Sequence, residues 1–169
     1  VFTNEDMPQH LHLVQIDGTG YRQLTTGDER NRQGSWSPQG DWIAFQTNQG
    51  ESSLAAIHPD GGARQPIAVG RGFTNPRWSP DGKALVTFNT GIGGMVLDLA
   101  AGLGSPVKQD LPPVAPGVLF WPIAWSPDGS QIAGTAVTAG QVGDIHLWSI
   151  AERTYRRLRW AREGLVDYS

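Results

Sequence analysis

The pentapeptide Trp-Ser-Pro-Asp-Gly occurs at Trp78–Gly82 and again at Trp125–Gly129, with a close copy, Trp-Ser-Pro-Gln-Gly, at Trp36–Gly40. The three tryptophans lie 42 and 47 residues apart, the length of one four-stranded β-propeller blade. A unit of that size cannot bury both of its faces alone and must stack against its neighbours. Within the phrase, Pro80 presets φ for the first central position of a type I turn. Asp81 suits the second position, and Gly82 supplies the left-handed residue that closes the turn. Pro127, Asp128 and Gly129 repeat this arrangement. The first copy keeps Pro38 and Gly40 but places Gln39 where the others have aspartate.

Each turn is followed by an apolar run, "DWIAFQT", "KALVTFNT" or "SQIAGTA", in which Ile43, Leu85 and Ile132 fall seven residues after their tryptophan. A second run follows in each unit: "SLAAIH", "GMVLDLA" and "DIHLWSI". Short stretches rich in β-branched and aromatic residues, bounded by glycine and proline, are strands. Residues 10–25 match residues 144–159 closely, pairing His12 with His146, Tyr21 with Tyr155 and Leu24 with Leu158. The closing segments "YRQL" and "YRRL" are more polar, as an outermost strand facing water would be. The sequence therefore predicts an all-β chain of propeller blades, each with four antiparallel strands. About three and a half to four blades are present: an incomplete unit at 1–33, units at 34–75, 76–122 and 123–164, and the start of another at 165–169. The repeated tryptophans are expected to wedge neighbouring blades together.

Composition removes several classes of function. Net charge is −3, so bulk electrostatics offers no attraction to nucleic acid or an anionic membrane. There is no cysteine, which excludes disulfides and thiolate chemistry. No apolar run approaches the roughly 18 residues of a membrane span, and residues 1–10 have no signal-peptide pattern. Gly-x-Ser-x-Gly, His-Glu-x-x-His and P-loop motifs are absent, and the glycines at 18–20 and 91–94 read as turns. His12 and His146 share one strand position and read as a structural slot. His10 and His12 could chelate from one strand face, but no third ligand accompanies them. Asp81 and Asp128 are expected to bond nearby backbone amides, and no run of alternating carboxylates marks a calcium loop. No metal or other cofactor is expected. A basic cluster of Arg153, Arg156, Arg157, Arg159 and Arg162, interleaved with Tyr155 and Trp160, could stack on bases. It reads better as a charged outer edge that discourages sheet-to-sheet aggregation.

These residues together resemble the TolB-like β-propeller repeat. The elements that carry the resemblance are Trp36 to Phe45, Trp78 to Phe88, Trp125 to Ala133, Ile16 to Gly18, and Leu24-Thr25. The resemblance implies part of a propeller of six or seven blades. It also implies a non-catalytic scaffold that binds a protein or peptide, in the periplasm or otherwise outside the cytoplasm, with a cytoplasmic setting left open. Two alternatives stand beside it: the substrate-gating propeller of a prolyl oligopeptidase-like serine peptidase, and the sensor propeller of a bacterial protein kinase. All three predict that residues 1–169 carry no catalytic activity. The irregular stretch 103–122, rich in proline, is the expected binding loop, with Phe120 and Trp121 as anchors or, equally, as packing between blades. Open blade edges would favour self-association.

Overall fold

Each copy of the phrase joins the two innermost strands of an antiparallel sheet. The computed structural model describes residues 1–3, 8–48, 53–62, 64–139 and 141–158. Strands β1 (Phe2–Thr3), β2 (Leu11–Leu13) and β3 (Arg22–Gln23) form a three-stranded first sheet. The second contains β4 (Asn31–Trp36), β5 (Ile43–Thr47), β6 (Ser53–Ile57) and β7 (Gln65–Ala68). The third contains β8 (Phe73–Trp78), β9 (Ala84–Asn89), β10 (Gly93–Asp98) and β11 (Val107–Asp110). The fourth contains β12 (Leu119–Trp125), β13 (Gln131–Thr138), β14 (Gln141–Ser149) and β15 (Tyr155–Arg157). Strands follow chain order within every sheet, as short hairpin links require, and the sheets are blades I to IV of a partial β-propeller.

The seven-residue offset has a direct structural meaning: Trp36 pairs with Ile43, Trp78 with Leu85 and Trp125 with Ile132 across the hairpin. The turns are built as their sequence predicts. Gly40, Gly82 and Gly129 have φ of 78°, 73° and 72°, and their amides donate to the carbonyls of Ser37, Ser79 and Ser126 at 3.0, 3.0 and 2.9 Å. The innermost strands begin at Asn31, Phe73 and Leu119, so the unit edges at 34, 76 and 123 fall inside a strand. The phrase marks where that strand ends, and the variable residues ahead of it carry no comparable signal for its start. The stretch 103–122 is also more regular than a loop. It contains β11, exposed at all four residues, and the first half of β12. "VKQD" is polar because an outermost strand buries little. Residues 159–169, including Arg159, Trp160, Arg162 and the predicted start of another unit, lie outside the described residues.

The core lies between blades. Leu11, Leu13 and Leu24 of blade I meet Ile43, Phe45, Ala55 and Ile57 of blade II. The other face of blade II, including Ala44, Leu54 and Ile67, meets Phe73, Leu85, Met95 and Leu97 of blade III, with Trp78 at the margin. Val86 and Leu111 of blade III meet Phe120, Ile132 and Trp148 of blade IV. Strands β5 and β6, covered on both sides, are buried at all five positions. Strand β13 alternates buried and part-exposed residues because the described residues cover one face only. Close approach explains Gly134: a Cβ there would sit 2.3 Å from the Trp121 carbonyl oxygen and 2.6 Å from the Phe120 ring.

Candidate binding cleft between the third and fourth blades

The phrase residues do two jobs, one between blades and one within the turn. The indole of Trp78 donates from Nε1 to the carbonyl of Ser35 in blade II at 3.1 Å, and Trp125 donates in the same way to Arg77 in blade III at 3.1 Å. Each acceptor immediately precedes the tryptophan of the blade before. Within the turn, Asp81 Oδ1 accepts from the Ser79 hydroxyl at 2.6 Å and the Lys83 amide at 3.0 Å. Asp128 Oδ1 accepts from the Ser126 hydroxyl at 2.6 Å, the Ser130 amide at 3.0 Å and the Ser130 hydroxyl at 2.8 Å. In the first copy Asp41, two residues downstream, supplies the missing carboxylate to Ser37 at 2.6 Å.

Releasing position 39 from that role changes the surface. Gln39 reaches across the blade II–III junction and donates from Nε2 to the Asp81 carbonyl at 3.3 Å, lying over Gly82. At the next junction the equivalent residue is Asp81, which is short and folded back into its own turn. A cleft of about 620 Å³ opens there. Its lining places Asp81, Asp98 and Asp128 with the single ammonium of Lys83, over apolar surface from Pro80, Val96 and Trp125. The cleft follows from the ordinary Asp81 of the phrase, and Gln39, the departure from it, spans the corresponding place at the II–III junction.

Hydrogen bonds hold the two turn carboxylates ionised. The Ser79 hydroxyl, followed by the Lys83 amide, keeps Asp81 below its ordinary value. The Ser126 hydroxyl, then the amide and hydroxyl of Ser130, bring Asp128 down to about 2 from 3.8. A folded value below the unfolded one means that these bonds stabilise the fold above the ordinary carboxylate range. That contribution is lost as the pH falls from 3.8 through about 2. A carboxylate-detected NMR titration is expected to place the Asp128 midpoint near 2; an ordinary aspartate midpoint would show that the turn is not braced in this way.

The other predicted residues separate by location. Phe120, 1% exposed, fills the blade III–IV interface and is out of reach of any partner in the folded chain. Trp121 is part-exposed and stacked on Phe88 with centroids 4.8 Å apart. His12 and His146 are both buried, and His12 lies between Phe2 and Tyr21, with its Nδ1 2.9 Å from the Tyr21 hydroxyl. No group of three or more His, Cys, Asp or Glu able to hold a metal occurs among the described residues. In the basic cluster, Arg157 pairs with Asp144 at 2.5 Å. The Tyr155 hydroxyl donates to the Pro112 carbonyl at 2.6 Å, and its ring packs against Phe120 and Trp148, so that ring is committed to the core. Burial pushes its hydroxyl above the usual tyrosine range.

One recurrent feature went unread in the sequence. Gln33 and Asn75, each three residues before its tryptophan, have φ of 58° and 56° and lie at bulges in the innermost strands. Gln33 Oε1 accepts from the Asn75 amide at 2.8 Å and the Thr74 hydroxyl at 2.7 Å. Asn75 Nδ2 in turn donates to the Pro122 carbonyl at 3.2 Å. The sequence signal is an amide side chain at the third position before the phrase.

The stacked, antiparallel sheets define a partial β-propeller. Comparison with solved structures makes the fold more specific: it is that of a TolB-like β-propeller. TolB from Acinetobacter baumannii aligns with a TM-score of 0.70 at 17% identity, over 90% of this chain and 38% of that one. A TolB structure from Agrobacterium tumefaciens aligns with a TM-score of 0.74 at 17% identity, over 89% and 56% respectively. Puromycin hydrolase aligns with a TM-score of 0.62 at 18% identity, over 91% of this chain and 25% of the enzyme. In sequence, the chain is 38% identical over 78 residues to dipeptidyl-peptidase 5 of Porphyromonas endodontalis, a stretch that is 45% of this chain and 11% of the peptidase. No protein-family model matches the chain. No helix among the described residues is long and apolar enough to cross a membrane.

Proposed function

We propose that this chain is the binding part of a β-propeller that acts by holding a protein or peptide and does not itself break or form covalent bonds. The observation that carries this reading is the composition of the III–IV cleft. Three carboxylates face one ammonium over an apolar floor, which suits an extended segment with a cationic side chain and aliphatic neighbours. The likeness to TolB supports the scaffold reading and a setting outside the cytoplasm. In a titration of labelled peptides by fluorescence anisotropy, lysine- or arginine-bearing peptides are expected to bind more tightly than neutral ones. Asp98→Asn, which leaves both braced turns intact, is expected to weaken them about threefold. Equal binding of cationic and neutral peptides would refute the reading.

A second reading has its own observation. The identity to dipeptidyl-peptidase 5, together with the likeness to puromycin hydrolase, favours a propeller that controls peptide access to a hydrolase domain. Reading the coding sequence in frame on both sides separates the two. A downstream Gly-x-Ser-x-Gly followed by Asp and His supports the peptidase. A signal peptide and further Trp-Ser-Pro-Asp-Gly units without that motif support the scaffold.

A further inference from the structure

We infer that the III–IV cleft recognises the planar, donor-bearing tip of an arginine side chain, an inference that rests on the peptide-binding reading of that cleft. The chain supplies its own precedent for such an occupant at the junction before. There the Gln39 carboxamide crosses from blade II and donates from Nε2 to the Asp81 carbonyl at 3.3 Å. It also covers Gly82: a Cβ on that glycine would stand 2.5 Å from its Oε1 and 2.9 Å from its Nε2. The same place at the III–IV junction is open. Gly129 holds the position of Gly82, and a Cβ there would meet one described neighbour within 4 Å, Pro80 Cδ at 3.8 Å. The Asp128 carbonyl, the counterpart of the Asp81 carbonyl, has no donor among the described residues. Pro80, Trp125, Asp128 and Gly129 all line the cleft.

Three features of the place select the chemistry of its occupant. The first is the Asp128 carbonyl, which calls for an N–H donor at the tip of a long side chain, as Gln39 provides one junction earlier. The second is charge. Asp81, Asp98 and Asp128 outnumber Lys83 in the lining. The two turn aspartates commit Oδ1 to their own turns, and their Oδ2 oxygens have no hydrogen-bond donor among the described residues. The third is shape, since a glycine beside Pro80 and Trp125 offers a surface for a flat group. A guanidinium meets all three conditions: it is cationic and planar, and its five donors can serve a carbonyl and a carboxylate together. A lysine ammonium has the charge but not the plane, and it is a compact, strongly hydrated point.

The test uses the whole chain, fluorescein-labelled Ala-Leu-X-Leu-Ala peptides with arginine, lysine or norleucine at X, and one double variant. Asp81→Gln with Lys83→Asp copies the blade II turn into blade III. The new glutamine is then placed to donate to the Asp128 carbonyl, and the new carboxylate to brace Ser79 as Asp41 braces Ser37. The arginine peptide is expected to bind the unaltered chain about tenfold more tightly than the lysine peptide, the value of one hydrogen bond to a charged group. The folded double variant is expected to bind the arginine peptide at least about tenfold more weakly. It loses one negative charge at 81 and exchanges a positive for a negative charge at 83, so attraction by charge alone predicts tighter binding. Unchanged or tighter binding by the folded double variant overturns the inference. Equal affinities for arginine and lysine, both above norleucine, overturn it as well and leave the peptide-binding reading standing. Equal affinity for all three peptides overturns both. The comparison of the three peptides needs no variant, so it decides even where the double variant does not fold.

Discussion

Phe120→Ala is expected to remove about 4 kcal/mol of folding free energy and to lower the melting temperature by roughly 10 °C. The side chain is 1% exposed and projects from blade IV into its interface with blade III. It packs in the cluster with Val86 and Leu111 on one side and Ile132 and Trp148 on the other, and its ring contacts Tyr155. The surrounding strands are held by their ladders and cannot close the space, so the cavity term adds to the lost transfer energy. Chemical denaturation of the purified variant gives the value. A loss under about 1 kcal/mol, the range of exposed substitutions, would mean that Phe120 is not the interface plug described here. The measurement also separates packing from binding: cationic peptide affinity at the cleft is expected to persist at temperatures where the variant remains folded.

The repeated tryptophans provide an internal comparison. Trp78→Ala is expected to cost about 3 kcal/mol, combining lost interface contact with an orphaned Ser35 carbonyl. Trp36→Ala is expected to cost under about 1 kcal/mol, although the residue opens the same five-residue phrase. The difference lies in the surroundings. Trp78 packs against the blade II–III core and donates to blade II, while Trp36 is 41% exposed with no described strand to receive its indole. Urea melts of the two variants decide the matter. Equal losses would show that the phrase stabilises its own hairpin rather than the junction with the blade before.

How much of this was legible beforehand depended on how local each signal was. The turn, its left-handed glycine and the seven-residue offset to Ile43, Leu85 and Ile132 are encoded within ten residues, and the structure shows each of them. The tryptophan wedge followed from the period alone. Blade starts were harder, because Asn31–Gln33 and Phe73–Asn75 share no apolar pattern and run after two residues into bulges that suspend strand alternation. The cleft was not legible at all. It depends on Asp81 failing to reach the next turn, where Gln39 does reach Asp81 from 42 positions away, a contrast that exists only once the blades are side by side. Phe120 and Trp121 were adjacent in sequence and separated by the strand's alternation, one into the core and one onto Phe88.

The relay of amide side chains at the bulges has a consequence for evolution and engineering by blade duplication. Gln33 Oε1 accepts a hydrogen bond from the Asn75 backbone amide, but the Asn75 side-chain amide donates one to the carbonyl of Pro122, which has no N–H to offer. The polarity of the link therefore reverses between one junction and the next. Moving blade II directly ahead of blade IV would require the Gln33 amide to turn over and present Nε2, not Oε1, to the proline carbonyl, with no backbone N–H there for its oxygen. Blades with the same outline and the same phrase are thus joined through side-chain amides of opposite orientation, and a shuffled ring would need those amides turned to match each new neighbour.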